Sequence, residues 1–259
     1  MNDRSLHTSR GLWVALACMT IASALSACRV QQPRTVIKER YQIYSTGQFD
    51  KETEAIEAPS ADLLTAAGGH PGDVFAGTAR RAAKTSVAHA GVQNFDTIRK
   101  LRETLESDAS MRSRDPPISA DASSARTDVE ERNVTVHAFI YAIAKEDDHD
   151  FHIIAGDKNC SSSNCFMNVE VSGWPPDPHS PDRPTLVAVR QSFIDFFDGV
   201  DPGTSGYDKP KPPIPVTISG SLFFDVDHKA GTIGPTCCRP STAWEIHPVS
   251  GIEFESGTH

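Results

Sequence analysis

Among the 10 His and 34 Asp and Glu of this sequence, six form a set that could bind a metal ion or move a proton: His152, Asp225, Asp227, His228, Glu245 and His247. Imidazole nitrogens and carboxylate oxygens are the usual ligands of divalent transition ions, and both groups serve as general bases. Spacing decides which of them can meet. Residues two apart on a strand share a face, so Glu245 and His247 point one way while Trp244, Ile246 and Pro248 take the other. By the same rule Asp225 and Asp227 share a face and His228 opposes them, if the strand extends that far. Two readings follow. In one, a metal-dependent hydrolase, His152, His228 and His247 hold a cation and a carboxylate such as Asp225 activates water. In the plainer one, Trp244 and Ile246 are core, His247 bonds backbone at a bend, and Asp225, Asp227 and His228 form a polar turn. The pattern singles out no particular metal, no cofactor and no catalytic residue. No H-E-x-x-H, G-x-S-x-G or phosphate-cradling glycine loop is present. The acidic run Glu146, Asp147, Asp148, Asp150 lacks the spacing and glycine of a calcium loop and reads as solvated surface.

The elements that must position these residues begin after Asn133. Val134, Val136, Ala138 and Ile140 alternate with Thr135, His137, Phe139 and Tyr141, the period of two expected in a sheet. The acidic run turns the chain, Phe151 to Ala155 forms a second strand, and Asn168 to Ser172 a third. A proline-rich break precedes Leu186, Val189, Phe193, Ile194 and Phe197, which fall at helical spacing. Strand four runs from Val216 to Phe224 and strand five from Ala243 to Phe254, bent at Pro248. Three strands, a helix and two strands is the order of an OB-like five-stranded barrel with the helix between strands three and four. The fold class is therefore mainly β, with an α+β character.

The segment 28–130 is poor in aromatic residues and reads as a partly helical, largely flexible tether. Its best helix starts at an Asn94 cap and sets Phe95, Ile98, Leu101 and Leu105 on one stripe. A second patch bearing Arg80, Arg81 and Lys84 reads as a solvated helix face, and 107–128 as a linker. The chain thus divides into residues 1–27, 28–130 and 131–259.

Residues 1–27 read as a secretory signal, with an uncleaved N-terminal anchor as the alternative: Arg4 and Arg10 precede the apolar run Leu12 to Leu25, which ends in Leu25-Ser26-Ala27-Cys28. The apolar stretch is shorter than the roughly 20 residues of a comfortable span. This segment resembles the leader of bacterial lipoproteins. The resemblance implies cleavage before Cys28, lipid on its sulfur and new amino group, and attachment to the cell envelope outside the cytoplasm. Arg29 stands where an inner-membrane retention signal of this class has Asp, which leans toward the outer membrane in a cell that has one. With Cys18 removed and Cys28 lipidated, Cys160, Cys165, Cys237 and Cys238 face an oxidising compartment. Adjacent Cys237 and Cys238 would close a strained ring together, so each is expected to pair with one of Cys160 and Cys165; a four-thiolate zinc site is the alternative.

The runs V-T-I-S-G-S-L-F-F-D-V-D-H (Val216 to His228) and W-E-I-H-P-V-S-G-I-E-F (Trp244 to Phe254), with Asp150-Phe151-His152 upstream, resemble an uncharacterised family of secreted bacterial domains. The resemblance spans roughly 133 to 254 and implies an OB-like fold without an activity.

The net charge of −9 sits wholly in the second half: residues 1–132 carry 17 basic and 17 acidic groups, and 133–259 carry 8 and 17. Phosphate backbones are held by Lys and Arg, so this charge argues against a nucleic-acid partner. The expected function is an anchored binding or envelope-interaction module for a protein, peptide or glycan, with the hydrolase as its rival.

Overall fold

The computed structural model describes residues 42–45, 73–197, 202–203 and 206–255. Its centre is a closed barrel of five strands: β3 (Asn133–Lys145), β4 (Phe151–Gly156), β5 (Phe166–Val171), β7 (Ile214–Phe224) and β8 (Trp244–Phe254). The strand order is β3-β4-β5-β8-β7, and β3 pairs with β7 to close the ring. All neighbours are antiparallel except β5 and β8, which run parallel. A parallel pair needs a long crossover, and the helix Arg183–Phe196 together with β7 supplies it. The expected order of elements and the OB-like arrangement are therefore observed, and the protein is mainly β.

Alternation explains the core. Val134, Val136, Ala138 and Ile140 of β3 turn inward to meet Phe151, Ile153, Val169, Val171, Val216, Ile218, Leu222, Phe224, Trp244 and Ile246. The helix lays Val189, Phe193 and Phe197 on this cluster, with Phe193 4.9 Å from the Phe151 ring. Each fully buried side chain of this size contributes roughly 1.5–3 kcal/mol.

The folded unit begins well before residue 131. Residues Val92–Phe95 form β2, parallel to the start of β3; one short helix, Arg81–Lys84 (α1), precedes it and two, Ile98–Arg102 (α2) and Asp108–Arg112 (α3), follow it; the crossover helix is α4. Ile98, Leu101 and Met111 are buried in the barrel's own cluster, so the short helices expected in a tether are packing elements of the domain. Few apolar residues are present here; Ile98, Leu101 and Met111 are almost wholly buried, whereas Val92 stays exposed. The cap moves from Asn94 to Thr97, whose hydroxyl accepts from the Lys100 amide at 3.1 Å, because Asn94 and Phe95 are committed to β2. Two cations of the expected solvated patch are also buried, Arg80 and Lys84 at 1% and 3% exposed, while Arg81 is half-buried.

Of residues 1–72 only Gln42–Ser45 (β1) is described, antiparallel to β6 (Asp208–Lys211). The signal segment, Cys28 and most of 28–72 lie outside the described residues, among which no helix is long and apolar enough to cross a membrane.

The expected cross-loop disulfides are corrected. Cys160 bonds Cys165, because the 3₁₀ turn Ser163–Cys165 brings their Cα atoms to 5.8 Å, within bridging range. Cys237 is exposed and Cys238 buried, with their sulfurs 2.6 Å apart. The two loops do meet, since Cys160 and Cys238 pack in one apolar cluster with Tyr141 and Phe166.

Candidate functional site

On β4, β5 and β8 the residues that point inward are apolar, so their alternates point out of the barrel: His152, Asn168, Glu170, Glu245 and His247. Register gathers them. His152 stands opposite Glu170, and Asn168 stands beside Glu245 across the parallel pair. The β3–β4 turn adds Glu146 and Asp150, and the β7–β8 loop adds Asp225 and His228.

This outer face is covered by the segment that precedes α1. The Phe75 amide donates to the Trp174 carbonyl and the Ala76 amide to the Asp148 carbonyl, both at 2.9 Å. Phe75 sets its ring edge 6.4 Å from the His247 ring. Gly173 permits the approach, for a Cβ there would sit 2.7 Å from the Phe75 backbone. His152 and Glu245 are consequently 0% exposed, His247 1%, Asp225 2% and Glu170 3%.

Three histidine-centred groups result. His152 Nδ1 lies 2.8 Å from Glu170 Oε1 and 3.2 Å from Glu146 Oε1. His247 lies between Asp150 and Glu245, with Nε2–Oδ2 3.2 Å and Nδ1–Oε2 3.6 Å. His228 Nδ1 is 2.7 Å from Glu245 Oε1 and 3.8 Å from Asp225 Oδ2, and Lys84 Nζ is 3.2 Å from that same Asp225 oxygen. The three differ in quality. The His228–Glu245 contact is a directed hydrogen bond, and Asp225 Oδ1 accepts the amides of Asp227 and His228. Asp225 Oδ2, next to Lys84, has no hydrogen bond, and at the other two groups both nitrogens of His152, both of His247, Asp150 Oδ2, Glu170 Oε2 and Glu245 Oε2 are buried without one. Their nearest carboxylate oxygens stand at ion-pair distance but off the line of a directed hydrogen bond. Buried polar atoms are ordinarily satisfied, and leaving one bare costs about 1–3 kcal/mol. A cation between them removes that cost. Three trios place one ligand atom each within 4.8 Å of one another: Glu146, His152 and Glu170; Glu170, Glu245 and His247; Asp225, His228 and Glu245.

Electrostatics agree that the pocket wants positive charge. Burial pushes each imidazole toward the neutral form, but the carboxylates outweigh it. His152 is held well above its ordinary value by Glu170 and Glu146, His228 is raised to about 10 by Asp225 and Glu245, and His247 to about 9 by Asp150 and Glu245. Burial, helped by Glu146 and Glu245, pushes Glu170 up to about 7 although His152 opposes it. Burial also opposes ionisation of Glu245, yet His228 and His247 hold it well below the usual carboxylate range. Without a metal, protons on the imidazoles are what neutralise the carboxylates.

Of the six residues singled out in the sequence, His152, Asp225, His228, Glu245 and His247 converge, and Asp227 does not. Strand β7 stops at Phe224, and the turn closed on Asp225 Oδ1 brings Asp225 and His228 to one side while leaving Asp227 exposed. The expected opposition of Asp225 and His228 assumed a longer strand. Glu146, Asp150, Glu170 and Lys84 were missed. The acidic turn is no solvated surface, since Asp148 and Asp150 are 4% and 1% exposed. Glu170 carried a readable signal: Asn168 and Glu170 alternate with Met167, Val169 and Val171, which marks a polar outer face on β5.

The chain is thus a mainly β protein on a closed, OB-like barrel, with a buried histidine–carboxylate cluster on the outer face of its second, third and fifth strands. Comparison with protein-family profiles, curated proteins and solved structures gives no match.

Proposed function

We propose that this protein is an envelope lipoprotein whose OB-like domain binds a divalent transition-metal ion in a site closed to solvent. One observation carries the reading: imidazole and carboxylate atoms of His152, Glu170, Glu245 and His247 are buried facing one another without hydrogen bonds. Mixed nitrogen and oxygen ligands suit zinc, iron or manganese better than calcium or magnesium. OB-like barrels bind ligands on the face of their second and third strands, flanked by the loops after strands one and four. The cluster lies there, on β4 and β5 and the loops bearing Glu146, Asp150, Asp225 and His228. Residues 73–84 cover that face, so it suits an ion better than a glycan or peptide.

A hydrolase would draw on the same ligands, but catalytic sites keep a coordination position open, and the burial of all four ligands favours a binding role. Charge also speaks against nucleic acid, because residues 73–132 contribute ten basic and ten acidic groups and leave the folded unit as acidic as before. The anchor rests on the lipobox ending in Cys28.

Elemental analysis of the full chain, extracted from membranes without chelators, tests the metal reading. We expect zinc, iron or manganese at one or more ions per chain, lost in a folded His152→Ala/His247→Ala double variant. Wild-type protein that is folded and metal-free would refute it, as would a folded double variant that keeps its metal. For the anchor, Cys28→Ser should leave the membrane fraction; a mutant still bound there would contradict lipidation.

A further inference from the structure

The three trios are linked. Glu170 belongs to the His152 trio and the His247 trio, and Glu245 belongs to the His247 trio and the His228 trio. Each contains one imidazole and two carboxylates, so the face is a row of three adjoining positions with shared carboxylates.

The positions are not equivalent. At the His228 position the ligands are already engaged: His228 bonds Glu245 Oε1, Asn168 Nδ2 donates to that same oxygen at 3.2 Å, and the Lys84 ammonium lies 3.2 Å from Asp225 Oδ2. Lys84 is 3% exposed and is held over the Phe223 ring at 5.6 Å. It is a resident cation. Asp225 Oδ2, which the ammonium faces, has no hydrogen bond; the other such histidine and carboxylate atoms of the cluster lie at the other two positions, on His152, Glu170 Oε2, His247, Asp150 Oδ2 and Glu245 Oε2. Glu170 divides between them, with Oε1 2.8 Å from His152 Nδ1 and Oε2 unbonded. Charge sets the capacity. With the imidazoles of His152 and His247 neutral, as metal ligands must be, the five carboxylates Glu146, Asp150, Glu170, Asp225 and Glu245 against the one ammonium of Lys84 leave −4, or −3 with a proton kept on His228, in either case more than one divalent ion neutralises.

We infer that the site holds two divalent ions side by side, bridged by the two oxygens of the Glu170 carboxylate, with Lys84 standing as the fixed cation of the third position. This rests on the closed metal-site reading. Glu146 and His152 complete one ion's protein ligands; Glu245 and His247, with Asp150 adjacent, complete the other's. Paired ions in carboxylate-bridged sites lie about 3.5–4 Å apart, close enough for magnetic coupling.

Manganese(II) supplies the probe. The full chain is stripped with a chelator, dialysed, loaded with Mn²⁺, counted by elemental analysis and examined by electron paramagnetic resonance. We expect two Mn²⁺ per chain and the broad multiline signal of a coupled pair. Glu170→Gln, nearly the same size, should hold one ion with the six-line signal of isolated Mn²⁺. One ion per wild-type chain overturns the pair while leaving a closed metal site; none overturns both; three overturns the role of Lys84. Two coupled ions retained in Glu170→Gln overturn the bridge. Should Glu170→Gln fail to fold, as judged by circular dichroism, the wild-type count and signal decide the pair by themselves.

Discussion

Arg80 and Glu130, fifty residues apart in sequence, form a two-pronged buried ion pair with both Nη–Oε distances at 2.7 Å. Arg80 also donates to the carbonyls of Phe224 and Ala125 and lies 4.6 Å over the Phe223 ring, while Glu130 accepts from the amides of Thr127 and Phe224. The pair joins the covering segment to β7, the strand that leads into Asp225. Removing one partner strands a buried charge, which costs about 3–5 kcal/mol. Glu130→Ala should therefore lower the unfolding free energy by about that amount in urea titrations. A loss below about 1 kcal/mol would show that the segment is not fastened here.

The same pair predicts an acid limb. Burial opposes ionisation of Glu130, but Arg80 and the two amides outweigh it and hold the carboxyl below 4.5, its ordinary value. A depressed folded value stabilises the protein above the unfolded value, and that stability is lost as pH falls through the folded one. Below about pH 4.5 the metal-free wild type should lose stability more steeply than Glu130→Gln, whose side chain cannot take up the proton. Parallel urea-midpoint curves for the two proteins down to pH 3 would contradict this.

Leu101 is fully buried in the barrel's apolar cluster, although it lies before the first barrel strand. Leu101→Ala should cost about 2–5 kcal/mol, the range for a large-to-small core change. A tether residue would register within about 0.5 kcal/mol, and such a result would return the boundary to residue 131.

Non-reducing peptide mapping of the purified full chain should find Cys160 linked to Cys165 and no bond from either to Cys237 or Cys238. Exposed Cys237 should be the first thiol to react with a maleimide when the adjacent pair is reduced. A 160/165-to-237/238 link would show that the meeting of the two loops is covalent.

The barrel was legible because each of its strands writes its burial as alternation: Val134, Val136, Ala138 and Ile140 inside, their neighbours outside. Glu245 and His247 were legible as partners for the same reason. What escaped was the second layer. Nothing in the spacing of Arg80 and Lys84 tells that their partners, Glu130 and Asp225, lie across the fold. Such long-range pairs leave no periodic trace. Asp227 misled because the end of a strand is set by a side chain bonding its own turn, as Asp225 does, and short polar runs read equally well either way.

X-ray absorption at the K edge of the ion that copurifies with the full chain examines the ligand set directly. Binding by His152, Glu170, Glu245 and His247 predicts nitrogen and oxygen neighbours at about 2.0–2.2 Å, with the outer-shell scattering of imidazole and no sulfur. Sulfur at about 2.3 Å would instead place the ion on Cys237 and Cys238 and contradict the assignment of the buried histidine–carboxylate face as the metal site.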